Sequence, residues 1–248
     1  MAENPGSNSR VVSVRVDPSN PDVVVAGLEG GTPNYTGDFN YYPGGIFRAE
    51  DAGENWDRVD PGLNDRRNGF TVMRMIRTDP PQIMSFGAGM QDTSENLGFV
   101  RSLDMGRTWE GFAPKLRNRP IKEFTVSNDG HVIYANESGT YYGHVSTDGS
   151  KTWAQSPLVQ VNGPIAVSQV DDSLVIFSSF YDLRRSEERL ETVNPVMAPP
   201  LPIREIVFSQ SNPNVVYAET NGYILYRSDD AGLTWRQIAD VRNDVLNV

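Results

Sequence analysis

Histidine and acidic residues are the side chains in this sequence whose chemistry could support catalysis or metal binding. The chain has no cysteine, which excludes disulfides, thiolate metal sites and cysteine nucleophiles. His131 and His144 are too few for a histidine-rich metal site, and neither has a sequence neighbour that suggests a catalytic triad. The 32 acidic residues always allow some carboxylate pair of the kind that hydrolyses glycosidic bonds, but nothing specific in the sequence supports one. We therefore predict no catalytic residue, no metal site and no cofactor, and structural positions for both histidines.

Aromatic side chains are concentrated in one long loop, between Gly30 and Gly44. Exposed aromatic residues are frequent anchors of protein interfaces, and sugars also stack on them. The alternative is a surface loop whose aromatic side chains cover its own turn. Under the first interpretation, the candidate partner-binding residues of this loop are Tyr35, Asp38, Phe39, Tyr41 and Tyr42.

Two further loops could line the same face as the aromatic loop. The loop from Ala88 to Leu97 contributes Met90, and the loop from Asp60 to Gly69 contributes Arg66 and Arg67. The alternative for each is a solvated polar rim. All three residues join the candidate partner-binding set.

The elements that must position these loops come from a repeat that contains all four tryptophans. Its form is Ser-x-Asp-x-Gly-x-Thr-Trp. The first copy has Ala49 in place of Ser and Asn55 in place of Thr, and the third copy has Gly149 one place early. The residues that match the form and are predicted to be structural are Asp51, Gly53 and Trp56; Ser102, Asp104, Gly106 and Trp109; Asp148 and Trp153; and Asp230, Gly232 and Trp235.

Turn chemistry explains the residue types of this repeat. An Asp side chain accepts hydrogen bonds from backbone N–H groups a few residues further on and closes a tight loop. Gly supplies a positive φ without steric cost, and Trp buries a large apolar area on the turn that results. Each copy therefore predicts a β-hairpin that is stabilised locally.

The spacing of the copies gives the number of units. Trp56 and Trp235 stand four repeat lengths apart, about 45 residues each, which is the size of a four-stranded propeller blade. The wide gap after Trp153 holds a degenerate unit, in which Tyr181 to Val193 aligns on Phe47 to Val59 with the Asp, Gly and Trp lost. Each unit also carries a turn-rich break between two apolar runs, such as Ser19-Asn20-Pro21 and Ser211-Asn212-Pro213.

The motif resembles the Asp-box, or BNR repeat, and through five units it covers the whole chain. This resemblance implies an all-β fold, a β-propeller of five four-stranded blades with Asp-box turns. We predict a polar N-terminal tail over 1–10 and a single propeller over 11–248, with blades at 11–60, 70–113, 120–157, 163–194 and 202–240. In families with this motif the box is structural and lies away from the binding site.

Similar repeats occur in sialidases, xyloglucanases, sortilin-type receptors and photosystem II stability and assembly factors. A sialidase needs an arginine triad that begins in an Arg-Ile-Pro phrase, whereas this chain has only the reversed Pro202-Ile203-Arg204. Among these families, the photosystem II assembly factors are the most similar in character to this chain. They differ from it in resembling seven-bladed domains and in being usually exported or lumenal. We therefore predict a non-catalytic scaffold that docks on a larger protein complex, with a membrane-bound photosynthetic complex as one setting. The alternative is a glycoside hydrolase or carbohydrate-binding propeller.

Charge and hydropathy indicate which class of partner and which cellular compartment to expect. The net charge is −10 and no stretch is clearly basic, which argues against a nucleic acid partner. Residues 1–10 are polar, unlike a secretory signal, and no apolar run reaches the length of a membrane span. We expect a cytoplasmic protein, either free or peripheral on a membrane complex, whose partners are protein subunits.

Overall fold

The described residues form five four-stranded antiparallel sheets, which confirm the predicted all-β class and the five propeller blades. The computed structural model describes residues 10–29, 44–59, 69–88, 99–113, 116, 119, 121–137, 143–156, 161, 163–179, 182–197, 199 and 202–240. Within these residues no helix has the length and apolar character needed to cross a membrane. The chain divides into two compact units, Met1–Pro120 and Ile121–Val248.

The first unit contains blades 1 and 2. Blade 1 consists of β1 (Arg10–Val16), β2 (Val24–Glu29), β3 (Gly45–Ala49) and β4 (Asp57–Arg58). Blade 2 consists of β5 (Gly69–Ile76), β6 (Gln82–Ala88), β7 (Phe99–Ser102) and β8 (Glu110–Gly111). One apolar cluster joins the two sheets, with Val25 and Ile46 of blade 1 packed among Met73, Ile83 and Val100 of blade 2.

The second unit contains blades 3, 4 and 5. Blade 3 consists of β9 (Ile121–Val126), β10 (Ile133–Glu137), β11 (Gly143–Ser146) and β12 (Ala154–Ser156). Blade 4 consists of β13 (Ile165–Val167), β14 (Val175–Ser179), β15 (Asp182–Ser186) and β16 (Asn194–Val196). Blade 5 consists of β17 (Ile203–Phe208), β18 (Val216–Thr220), β19 (Ile224–Ser228) and β20 (Arg236–Asp240).

Side-chain alternation explains how the blades of the second unit pack. Because successive strand residues point to opposite faces, each blade offers one apolar face to each neighbour. In blade 4, Val175 and Phe177 pack with Tyr134 of blade 3, whereas Ile176 packs with Phe208 of blade 5. The five residues of β14 are all buried, as expected for a strand that is covered on both faces.

Sheet topology separates each blade into two ends. The strands pair in chain order, so the connection between the second and third strands lies at one end. The hairpins between the first and second and between the third and fourth strands lie at the other. We call the first of these the loop end and the second the turn end. The tryptophan repeats connect the third and fourth strands, which places them at the turn end.

Candidate functional site

The predicted partner-binding residues lie outside the described residues. This holds for all eight of them: Tyr35, Asp38, Phe39, Tyr41, Tyr42, Arg66, Arg67 and Met90. Their role as a docking face stays a prediction. The described strands before and after the segments of Tyr35 and Met90 are the second and third strands of blades 1 and 2.

The tryptophan repeat of blade 2 forms a turn that is closed by its own side chains. Asp104 accepts hydrogen bonds from the backbone N–H of Thr108 (2.8 Å), from its hydroxyl (2.6 Å) and from the hydroxyl of Ser102 (2.8 Å). The Ser102 oxygen accepts the N–H of Gly106 (2.7 Å), and Trp109 Nε1 donates to the Gly106 carbonyl (3.1 Å). The carboxylate has its partners within the turn, as its predicted structural role requires.

The bonds between the Thr and Asp positions recur in other blades, and we call these segments, together with that of blade 2, box turns. Thr152 donates twice to Asp148, and Thr234 donates twice to Asp230. In blade 1 Asn55 replaces Thr and makes the equivalent bonds to Asp51, from its backbone N–H (2.9 Å) and its Nδ2 (2.7 Å). An amide therefore substitutes for the hydroxyl without loss of the turn.

Blade 4 has a box turn as well, but our sequence alignment placed it in the wrong register. Ser186 accepts the N–H of Leu190 (2.9 Å), as Ser102 accepts that of Gly106, and Thr192 donates to Glu188 (2.7 Å). Glu188 therefore stands in the Asp position and Val193 in the Trp position. The alignment had set the apolar Leu190 against Trp56, a shift of three residues.

All five box turns share a backbone feature that explains their glycines. Two consecutive residues have positive φ in each turn, for example Met105 (53°) and Gly106 (82°) in blade 2. In blade 3 the pair is Gly149 (67°) and Ser150 (73°), so the early glycine occupies the first of the two left-handed positions. The displaced glycine is thus compatible with the turn, because either position favours a residue without Cβ.

Hydrogen bonds inside the box turns of blades 3 and 5 lower the pKa of their aspartates. The hydroxyl of Thr152, followed by its backbone N–H, lowers the pKa of Asp148 to about 2. At Asp230 burial raises the pKa, but the donors of Thr234 outweigh it and lower the pKa to about 2. Carboxyl groups with such pKa values are poor general acids near neutral pH. The low pKa values of Asp148 and Asp230 favour the structural role predicted for them, which stays a prediction.

An arginine at the end of the third strand connects one blade to the next. Arg48 Nε of blade 1 donates to the carbonyl of Met105 in the box turn of blade 2 (2.9 Å). Arg185 Nε of blade 4 donates to the carbonyl of Ala231 in the box turn of blade 5 (3.0 Å). Each arginine also pairs with the carboxylate two residues later in the chain, and these carboxylates are Glu50 and Glu187. We call these residues clamp arginines.

Sequence reasoning missed the clamp arginines, although a signal for them exists. Each precedes the first residue of a box turn and forms the pattern Arg-(Ala/Ser)-(Glu/Asp), as in 48–50, 185–187 and 227–229. A guanidinium is suited to this position, because it can donate to a carbonyl and to a carboxylate at the same time.

A buried carboxylate–imidazole pair lies at the loop end of blade 3. His144 Nε2 is 3.0 Å from Glu137 Oε1, and the two side chains are 5% and 3% exposed. The neighbouring Asn136 donates from Nδ2 to the carbonyl of Gly163, which leads into blade 4 (3.0 Å). Groups this deeply buried are out of reach of a macromolecular substrate. The pair therefore fixes the base of the loop end, in line with the structural role predicted for His144.

The loop end of blade 5 presents an exposed aromatic residue that the sequence did not single out. Tyr223 has a φ of 61° and is 49% exposed, and its N–H donates to the carbonyl of Thr220 (2.9 Å). The segment Thr220-Asn221-Gly222-Tyr223 forms a tight hairpin between β18 and β19. A short turn of this type is the signal that could have identified it. Tyr223 thus occupies the same topological position as the aromatic loop of blade 1.

The second histidine of the sequence, His131, lies in a turn at the surface. His131 is exposed, and its N–H donates to Asp129 Oδ1 (3.0 Å) in the turn between β9 and β10. Over the part of the chain that the structure describes, no group of three or more His, Cys, Asp or Glu residues is placed to hold a metal ion.

Comparison with solved structures shows which proteins have this fold. An ancestral GH74 enzyme matches 95% of the chain with a TM-score of 0.65 and 16% identity. The GH74 xyloglucanase from Xanthomonas campestris matches 92% of it, with a TM-score of 0.63 and 17% identity. The fold is a β-propeller. The chain spans only 32% and 38% of the lengths of these two structures.

Two structures of YCF48 match over most of both chains. YCF48 from Cyanidioschyzon merolae has a TM-score of 0.51 and 14% identity, over 94% of this chain and 86% of that one. YCF48 bound to D1 peptide has a TM-score of 0.56 and 14% identity, over 98% and 88%. No family model matches the chain, and no curated protein matches it in sequence. At these identities the likeness concerns the fold.

Proposed function

We propose that this propeller is a non-catalytic protein-binding module of the Asp-box type, which docks its loop end on a segment of a partner protein. The observation that carries the proposal is Tyr223, a half-exposed aromatic residue at the tip of a loop-end hairpin. Aromatic side chains supply large contact areas at little entropic cost and are enriched among the residues that dominate binding energy. The predicted aromatic loop, with Tyr41 and Tyr42, belongs to the same end of its blade.

The structural likeness to YCF48 bound to D1 peptide supports this proposal, because most of both chains takes part in the match. It provides an example of this fold holding a segment of another protein. The sequence resemblance to photosystem II stability and assembly factors agrees with it. We propose a subunit of a larger complex as the partner, with a membrane-bound photosynthetic complex as the setting that this resemblance favours.

The test is affinity purification of the tagged chain from its own host, followed by identification of the proteins that co-purify. We expect stoichiometric recovery of a defined complex, and at least a tenfold loss of that recovery in Tyr223→Ala, on the order of a dominant interface residue. The matched control is Leu233→Ala, since Leu233 is 50% exposed in the same blade but lies at the turn end. Full recovery with Tyr223→Ala and with Tyr41→Ala/Tyr42→Ala would reject the loop end as the docking surface.

A glycoside hydrolase is the second candidate, and the higher TM-scores of the GH74 structures favour it. Incubation of the chain with xyloglucan and measurement of the reducing ends that form distinguishes the two. Under the proposed function we expect no release above that of a heat-unfolded control. Sustained release by the purified chain would instead establish an enzyme.

A further inference from the structure

Met197 is the most exposed of the large apolar residues that the structure describes. It is 79% exposed, whereas Met73, Met84 and Met105 are 0%, 3% and 6% exposed and Met75 packs against an apolar cluster. A thioether that solvent reaches reacts with oxidants directly, whereas one inside a packed core reacts only after local opening. Among the described methionines, Met197 is therefore the one that an oxidant in solution reaches in the folded chain.

Strand pairing places Met197 at the loop end of blade 4. The third strand of this blade begins at the loop end with Asp182, and Val196 of β16 stands opposite the next residue, Leu183. Because β16 is antiparallel to β15, it runs towards the loop end. Met197 directly follows Val196 and so lies at that end.

Met197 and Tyr223 belong to neighbouring loop ends of the second unit. Blades 4 and 5 share one apolar cluster, which makes their loop ends adjacent. In the hairpin of Tyr223, the N–H of Asn221 donates to the carbonyl of Pro202 (2.8 Å), directly before β17. The proposed docking end thus presents a second exposed apolar side chain beside the tyrosine.

The chemistry of a thioether makes such a contact sensitive to oxidation. Methionine is unbranched and polarizable, and it is enriched at protein interfaces. Its sulfoxide carries a polar S–O group, and burial of that group without a hydrogen-bond donor costs free energy. Oxidation of Met197 would therefore oppose contact with a partner surface.

We propose that Met197 is an oxidation site of the folded chain, and that its conversion to the sulfoxide weakens docking of the partner segment at the loop end. This inference rests on the docking proposed above. The oxidant is a peroxide, and the sulfur lone pair attacks one of its oxygens. The S–O bond forms as the O–O bond breaks, and the second oxygen takes up the proton and leaves as water. Sulfur gives up two electrons, and the peroxide accepts them. Methionine sulfoxide reductases reverse the change.

The first experiment treats the folded chain with hydrogen peroxide and maps oxygen uptake by mass spectrometry of its peptides. We expect Met197 to react roughly tenfold or more faster than Met73, Met84 and Met105, because those three react only after local opening. In urea the four rates should become similar. Equal rates in the folded chain, or an unreacted Met197, would overturn the oxidation site.

The second experiment measures docking, with Met197→Leu as the matched variant because leucine keeps the apolar volume but has no sulfur. Wild type and variant are treated with peroxide, freed of it, and then used to purify the partner complex from the host. We expect the oxidised wild type to recover about tenfold less complex, the effect of burying one unpaired polar group. The oxidised variant should recover as much as the untreated chain, and a methionine sulfoxide reductase should restore the wild type.

The outcomes separate this inference from the proposed function. Full recovery by the fully oxidised wild type, or an equal loss in Met197→Leu, would overturn the effect of Met197 on docking while docking itself stands. A lower melting temperature in the oxidised wild type than in the oxidised variant would also contradict the proposal, since it would place Met197 in the packing of the fold. Failure of the untreated chain to recover any complex would reject the proposed function together with this effect, whereas the peptide map would still decide the oxidation site.

Discussion

At the scale of single residues, the box turns show which features of the repeat depend on side-chain hydrogen bonds and which depend on backbone conformation. The hydroxyl–carboxylate bond tolerates replacement, since Asn55 donates to Asp51 and Thr192 donates to a glutamate. The pair of left-handed residues recurs in all five turns, even where Leu190 has a φ of 70°. The backbone conformation is therefore the feature that all five turns share. Different side chains stabilise it in different turns.

Ionisation of a box-turn carboxylate should appear in the acid stability of the protein. The pKa of Asp148 in the folded chain is about 2, below the value of about 3.9 for an unfolded aspartate. Its contribution to stability is therefore complete above about pH 4 and is lost as the pH falls through about 2. We expect the melting temperature to fall more steeply from pH 4 to pH 2 in the wild type than in Asp148→Asn.

Circular dichroism melts at several pH values measure this difference. Thr152→Val provides a second comparison, because it removes the hydroxyl that contributes most to the low pKa and should reduce the acid dependence. Parallel pH curves for the wild type and Asp148→Asn would show that the turn does not stabilise the carboxylate.

At the scale of elements, glycines of the box turns set how closely neighbouring blades approach. A Cβ added to Gly232 would clash with Ile176 Cδ1 of blade 4, and one added to Gly106 would lie 2.7 Å from Val25 Cγ2 of blade 1. At Gly53 the nearest atom would be 3.4 Å away, in Trp56 of its own turn. All three have positive φ, so only the first two combine backbone strain with a clash between blades.

Alanine substitutions separate these two costs. We expect Gly53→Ala to lower the free energy of unfolding by about 1–2 kcal/mol, the cost of a left-handed residue with a Cβ. Gly232→Ala should cost about 1–3 kcal/mol more, because Ile176 must move within a packed core. Urea denaturation provides the measurement. Equal losses for the two variants would mean that blade 4 adjusts to the added methyl group without cost.

The sequence predicted the elements well because their signals are local. The turn residues and the alternation of apolar residues lie within each sequence repeat, so the five four-stranded blades can be predicted from the printed residues. The register of blade 4 did not, since Leu190 resembles a buried core residue in sequence but occupies a left-handed position. The clamp arginines were missed because their acceptors are backbone carbonyl groups, such as that of Met105, so only the pattern Arg-(Ala/Ser)-(Glu/Asp) on the donor side marks them in the sequence.

At the scale of the whole molecule, the chain divides into two compact units. The described apolar clusters each lie within one unit, with Val25 and Met73 in the first and Phe177 and Phe208 in the second. The predicted docking loops with Tyr41 and Met90 fall in the first unit but outside the described residues. Short-range sequence patterns predict strands and tight turns, whereas they do not determine how residues in a long connection are placed.

Residues 121–248 form a compact unit that holds two apolar clusters of its own, which predicts that this segment can fold without the rest of the chain. We expect the isolated segment to retain the circular dichroism of a β protein and to unfold in a single cooperative transition in urea, because blades 3, 4 and 5 share two apolar clusters. The fluorescence of Trp153 and Trp235 gives an independent probe. Loss of secondary structure or two transitions that do not coincide would show that this segment requires the first unit.

The pairing of strands in chain order has a consequence for synthesis. Each sheet is complete as soon as its own fourth strand has emerged from the ribosome, since none of its ladder bonds waits for a later segment. In the second unit, blade 3 would then present Tyr134 while blade 4, which covers it, is still being translated. Translation thus exposes one sheet face at a time, and the interval before the next sheet arrives is when the nascent chain is most open to aggregation or to a chaperone.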